Sequence, residues 1–246
     1  MDKIRVGAVS YLNTRPLLYG VKKSQLLLDQ IELIEEYPSL VAEKLLNDEI
    51  DVGLVPVAII PSMKEYHIVT DYCIGAEGEV ASVSLFSQVP INEVRKVLLD
   101  YQSRTSVNLA RVLMRDFWKV HPETEDAGKD YIHQIGGTTA GVIIGDRALE
   151  NRSRFSYNYD LASAWRKMTS LPFVFAAWIA NKPLPLEFIS SFNQANGYGV
   201  GMIDEVVAGI SYEHYDLKKY YTENISYELT ADKREGLNLF LDLLHR

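Results

Sequence analysis

The chain has 246 residues, 47% apolar and 24% charged, proportions of a folded water-facing protein with room for two lobes. Its net charge of −8 comes without any basic tract, which excludes nucleic acid as a partner, because phosphate binding needs clustered Lys and Arg. The single cysteine, Cys73, excludes an intrachain disulfide and a thiolate cage, and the scattered histidines give no metal-ligand spacing, so no metal is expected.

Ile4 to Val9 is a buried-strand run rich in β-branched residues, and Pro16 suits the first turn of a following helix. Ile31 to Glu35 reads as a second strand, and Pro38 opens a helix through Asn47 with Val41 and Leu45 on one face. "IDVGLVP", residues 50–56, is a third strand. Strand alternating with helix predicts a parallel sheet that binds its ligand at the carboxyl ends of its strands. "VASVSLFS", 80–87, is extended; "KVLLDY", 96–101, is another strand; "SRTSVNLARVLMRDFW" is a helix with a polar start. "AGVIIGDRALE", 140–150, is a buried strand running into a helix that Asp146 is expected to cap. "LPFVFAAWIAN", 171–181, is the last strong strand, and beyond Pro185 the pattern is mostly helical, ending with Leu237, Phe240, Leu241 and Leu244 at helical spacing. The longest apolar run, 171–180, is too short to cross a bilayer, and "MDKIRVGAVS" holds no signal peptide. A cytoplasmic location without a membrane partner is therefore expected.

With no linker between the two strand–helix units, the lobes are expected to be joined by extended crossings near 80–87 and 172–180. The predicted class is α/β, two-lobed, with a ligand cleft between a discontinuous lobe I (1–84 with 178–246) and lobe II (85–177). This architecture resembles the type II periplasmic-binding-protein fold, which closes like a hinge.

Three stretches carry candidate chemistry. "YLNTRP" follows the first strand: Asn13 offers an amide that donates and accepts, and Arg15 a fork suited to carboxylates, unless Asn13 and Thr14 merely cap the next helix. "DYQSRTSV" opens a helix after a strand, so free N–H groups with the Ser103, Thr105 and Ser106 hydroxyls form an anion cradle beside Arg104, or an ordinary cap with a solvated arginine. "VASVSLFSQ" places Ser82 and Ser84 on one strand face, one of them able to reach the cleft, with no nucleophile-elbow motif around either. Asp146 ends a strand and either reaches the cleft or caps its helix. Gly136-Gly137 lacks both the Walker A lysine and the GxGxxG frame, so no nucleotide is expected. The tyrosines between 212 and 227 read as packing rather than a cofactor box.

Together, "VGAVSYLNTRPLLYG", "LLNDEIDVGLVP", "VASVSLFSQVPI", "SRTSVNLARVLM", "GVIIGDRAL" and "LPFVFAAWIA", in this order over nearly the whole chain, resemble the chorismate dehydratases of the futalosine route to menaquinone. The resemblance implies a two-lobed lyase that removes water from chorismate to give 3-[(1-carboxyvinyl)oxy]benzoate, without a cofactor. It also implies active-site roles for the Asn of the "LN-x-x-P" loop, here Asn13, and the Ser of "V-x-S", here Ser82. Arg15, Ser103, Arg104, Thr105, Ser106 and Asp146 are the expected substrate contacts. Asn13 and Ser82 are not bases near neutral pH, which leaves the substrate's enolpyruvyl carboxylate, or Asp146, to take the proton. The related 1,4-dihydroxy-6-naphthoate synthase and a non-catalytic small-anion-binding protein are the alternatives. Oligomeric state stays open, a homodimer included.

Overall fold

The computed structural model of the chain describes residues 3–245. Its amino-terminal part runs β1 (Ile4–Val9), α1 (Arg15–Lys23), α2 (Gln25–Gln30), β2 (Ile31–Glu36), α3 (Pro38–Leu46), β3 (Val52–Pro56) and β4 (His67–Ala76). The middle supplies β5 (Val83–Ser87), β6 (Lys96–Leu99), α4 (Arg104–Val112), β7 (Glu123–Asp126), β8 (Thr139–Ile144), α5 (Asp146–Asn151), β9 (Tyr157–Asp160) and α6 (Leu161–Thr169). β10 (Phe173–Ala180), α7 (Leu186–Gly201), α8 (Ile203–Ala208), α9 (Leu217–Lys219), β11 (Ser226–Glu228) and α10 (Ala231–Leu244) follow.

Two sheets organise these elements. The first has the order β11-β4-β10-β3-β1-β2, with β1 parallel to β2 and β3, as strand–helix–strand connections favour, and β10 antiparallel to β3 and β4. β3 is buried at every position, which is why "VGLVP" reads as an unbroken apolar run. The second has the order β7-β6-β8-β5-β9, with β6 parallel to β7 and β8, and β5 antiparallel to β8 and β9.

The chain crosses between sheets at residues 77–82 and 170–172. The expected cuts, after residue 84 and before residue 178, fall inside β5 and β10. Each strand stays whole because its neighbours on both sides pair with it along its length, so the crossings move upstream into the short unpaired segments. One apolar core runs through both sheets, from Val6 and Leu54 to Leu85, Val142 and Trp178. A smaller cluster with Phe86, Leu98 and Tyr131 lies behind the second sheet.

Two glycines fix how α1, and the loop that precedes it, sit on the fold. A Cβ on Gly20 would stand 1.7 Å from the Ala195 carbonyl, and one on Gly199 would stand 1.9 Å from that of Pro16. The helices α1 and α7 thus pack backbone to backbone, which offsets the ~1 kcal/mol that glycine costs in a helix. At the carboxyl end, α10 buries Leu237, Phe240 and Leu243, with Phe240 edge-on to Trp165 and Phe173. Among the described residues no helix is long and apolar enough to cross a membrane.

Candidate active site

Four strand ends, two from each sheet, converge on one cleft. Val9 and the loop after β1, Pro56 of β3, Ser103 beyond β6, and Ile144 with Gly145 at the end of β8 all line it. This is where parallel α/β sheets place ligands. The cavity between these walls is about 50 Å³.

The loop after β1 is held from several directions. Thr14 Oγ1 lies 2.6 Å from the carbonyls of Val9 and Tyr11, and the Tyr227 hydroxyl donates to the Asn13 carbonyl at 2.8 Å. Thr14 therefore folds the loop back on itself instead of capping α1 with its side chain. Asn13, its main chain fixed by Tyr227, lines the cleft. Arg15 is exposed beyond it, its charge acting on Asp146 rather than lining the cleft.

On the facing side, Ser103 caps α4: its hydroxyl accepts from the Ser106 N–H at 3.2 Å and donates to Ser106 Oγ at 3.0 Å. Both serines line the cleft. Their neighbours do not share that role. Thr105 is fully buried, and its hydroxyl accepts from the Ala58 N–H at 3.1 Å, tying α4 to the first lobe. Arg104 is exposed and lines a separate depression with Arg111 and Asp126, because the first turn of α4 carries it to the outer face. The expected cradle thus reduces to Ser103 and Ser106.

Ser82 is fully buried between the cleft-lining Val80 and Val83, and its Oγ accepts from the Tyr220 hydroxyl at 2.7 Å. Its partner in the sequence pattern, Ser84, turns to the face of Phe86, while Val83 faces the cleft. Ala81, in the left-handed region at φ +64°, breaks the extended run, so the alternation does not carry through Ser82. The tyrosines expected to be packing are also tethers: Tyr212 donates to the Asp146 carbonyl at 3.2 Å, alongside Tyr220 on Ser82 and Tyr227 on Asn13.

Asp146 does not cap α5. Gly145 occupies that position at φ +63°, and the Asp146 carboxylate turns away to accept from the Leu12 N–H at 3.1 Å, joining the lobes. Burial pushes its carboxyl above the ordinary range, with Leu12 and Arg15 opposing. A Cβ on Gly145 would stand 3.2 Å from the Tyr11 ring, so the bare backbone gives that ring its seat.

Tyr11 leads into a network the sequence reading missed. Its hydroxyl donates to Gln102 Oε1, which also accepts from Arg147. Arg147 pairs with Asp100 at 2.7 Å, and Asp100 further accepts from the Tyr131 hydroxyl at 2.8 Å and the Gln102 N–H at 2.7 Å. Burial pushes Asp100 up despite Arg147, and burial likewise raises the Tyr11 hydroxyl. Tyr11, Gln102 and Arg147 stand inside "SYLN", "DYQSR" and "GDRAL", each just past a strand end, and that position is the signal that could have found them.

The cleft is thus faced by an amide and hydroxyls, set among the apolar walls of Leu54, Ile74, Val80, Val83 and Phe175. Among the described residues that line it, none is Asp, Glu, His, Lys or Arg. Fixed dipoles in such a setting stabilise developing charge strongly, because little water screens them. Among the described residues no His, Cys, Asp and Glu side chains cluster as a metal cage.

Comparison with known proteins places this arrangement. The family described as Menaquinone biosynthesis matches residues 4–246. The chain is 25% identical to the chorismate dehydratase of Thermus thermophilus, covering 97% of this chain and 94% of that protein. Among solved structures it is similar to protein AF1704 from Archaeoglobus fulgidus, with a TM-score of 0.76 and 15% identity over 99% of this chain and 97% of that one. It is also similar to the CA3427 product of Candida albicans, which has the generic periplasmic-binding-protein fold, at TM-score 0.60 and 12% identity, covering 100% and 94% of the two chains.

Proposed function

The chain belongs to the menaquinone-biosynthesis family, and from that premise we propose that it is a chorismate dehydratase, eliminating water from chorismate to give 3-[(1-carboxyvinyl)oxy]benzoate. The observation that carries this reading is the cleft lining: neutral donors from both lobes, apolar walls, and no ionisable carboxylate or imidazole among the described lining residues.

Chorismate brings two carboxylates, a hydrogen on C3 and an allylic hydroxyl on C4. Taking the C3 proton leaves an electron pair that spreads through the ring double bond onto the ring carboxylate. That pair then expels the C4 hydroxyl, and the hydroxide leaves with a proton as water. The ring becomes aromatic, which drives the sequence forward. Asn13 and the Ser103 and Ser106 hydroxyls hold the dianion and stabilise the charge that spreads onto its carboxylate. Ser82, whose oxygen is already engaged by Tyr220, keeps its own hydrogen to donate. Among the described residues that line the cleft no side chain is a base near neutral pH, so in this reading the substrate's enolpyruvyl carboxylate, which hangs beside C3, takes the proton. Asp146 serves the lobe junction through Leu12.

Incubating the purified protein with chorismate and following the product by ultraviolet absorbance and mass tests this directly. The expected result is loss of water and appearance of the aromatic ether. A rise in melting temperature with chorismate recovered intact would instead make this a binding protein. No response to chorismate at all would direct attention to the naphthoate synthase reaction.

A further inference from the structure

We infer that Asp160 is a positioning residue for this reaction: its buried carboxylate holds the peptides of Val80 and Ala81 in the shape that sets Val80 and Val83 in the cleft wall and the buried Ser82 between them. The inference rests on the proposed function for its catalytic meaning and on geometry for its mechanics.

Asp160 ends β9 and precedes α6. Its Oδ2 accepts from the Val80 N–H at 3.1 Å and the Ala81 N–H at 2.9 Å, while Oδ1 accepts from the Ser163 N–H at 2.8 Å. The last of these is an ordinary helix cap, which Ser, Thr or Asn would supply without burying a charge. The two bonds to the crossing are what a carboxylate adds. They land on a strained point, because Ala81 holds φ +64° without being glycine, a conformation that persists only when the surroundings enforce it. The other side of the same turn is fixed as well: Arg152 donates to the Ala81 carbonyl at 2.9 Å, Ser82 N–H to the Val80 carbonyl at 2.7 Å, and Gly145 N–H to the Ser82 carbonyl at 2.8 Å. Directly beyond lie Val80 and Val83 in the cleft wall and the Ser82 hydroxyl on Tyr220. Asp160 thus grips the crossing from behind while the substrate occupies its front.

Both carboxylate oxygens face N–H donors, so protonation forces an O–H against one of them and removes an acceptor. Replacement by Asn has the same defect, because its NH₂ must face a donor. Replacement by Ser keeps a cap for α6 but is too short to serve the crossing as well. Burial, reinforced by Glu79, raises the carboxyl to about 6, against the N–H donors of Ser163, Ala81 and Val80. The charged groups around it are Glu79 on the crossing, Lys167 on α6, and Arg152 beyond α5, which pairs with Glu79. Because folding raises this carboxyl, its contribution to stability is greatest below about 4 and declines as pH rises through about 6. Acidification therefore loosens the crossing without weakening the fold through this group, and activity and stability part company.

The test measures kcat and KM for chorismate from acid to neutral pH in the wild type, Asp160→Asn and Asp160→Ser, with melting temperatures and hydrogen exchange of the Val80 and Ala81 amides. The wild type should lose kcat below an apparent pKa near 6 while its melting temperature holds. Both variants should fold, lose on the order of 10²-fold in kcat, as misplaced active-site groups do, and lack that acid limb. A serine variant with wild-type kcat, or an asparagine variant that keeps the limb, overturns the assignment. If the wild type leaves chorismate untouched, the functional reading fails by itself. Exchange then decides the mechanics, as it also does if a variant does not fold. After correction for intrinsic rates, the Val80 and Ala81 amides of the wild type should be less protected at pH 5 than at pH 7.5, and unchanged protection overturns the grip.

Discussion

Asn13, Ser103 and Ser106 face the cleft with neutral amide and hydroxyl groups, whereas Asp100, Asp146 and Arg147, one layer behind, are charged groups already engaged by protein partners. The difference separates two jobs. Charges behind the wall are spent on geometry: Arg147 fixes Gln102, which fixes Tyr11, and Asp146 pins Leu12 across the lobes. In the proposed reaction, donors at the wall would meet an anion without a countercharge that grips substrate and transition state alike, which reserves their effect for charge that develops during reaction.

Breaking this division at the wall should have the largest effect. Asn13→Asp puts a carboxylate where the proposed substrate's dianion would bind; kcat should fall on the order of 10³-fold, at the upper end for a lost oxyanion donor, with the melting temperature nearly unchanged. Near-normal turnover in that variant would contradict a neutral-donor site. Breaking it one layer back should read mainly as stability. Arg147→Ala strands Asp100, which burial already pushes toward protonation, and about 3 kcal/mol of unfolding free energy should be lost in denaturant titrations. Asp146→Asn is a milder disturbance: its amide oxygen can still accept from Leu12, so turnover should stay within about threefold, whereas a loss of ~10³-fold would make Asp146 the general base. The smallest effect belongs to Arg104→Ala, since Arg104 points into the outer depression; KM for chorismate should stay within about twofold.

How much of this the sequence discloses depends on whether a residue's partners are local. β3 is legible because a strand buried on both faces needs an unbroken apolar run, β1 because its buried half, Val6 to Val9, is one too, and Ser103 is legible as a cap because its partner Ser106 lies one turn away. β4 escapes notice: "HIVTDYCIGA" carries Asp71 and Tyr72 mid-strand, which the polar edge of α7 accommodates through Asn193. The Asp146 cap fails because Gly145, with a backbone few other residues adopt, takes the cap position and frees the carboxylate for Leu12. Tyr11 and Gln102 lie 91 residues apart, and Tyr227 and Asn13 lie 214 apart. No periodicity connects such pairs: the meeting of strand ends from two sheets brings Tyr11 to Gln102, and the folding of β11 and β1 into one sheet brings Tyr227 to the Asn13 loop.

A crystal structure of the wild-type protein with 3-[(1-carboxyvinyl)oxy]benzoate addresses the division of labour most directly. The account predicts the ring between the lobes, one carboxylate within hydrogen-bond reach of Asn13 and the other met by hydroxyls, with no Lys or Arg side chain in contact. The acid lodged in the Arg104–Arg111 depression, or clasped by an arginine that swings into the cleft, would contradict it.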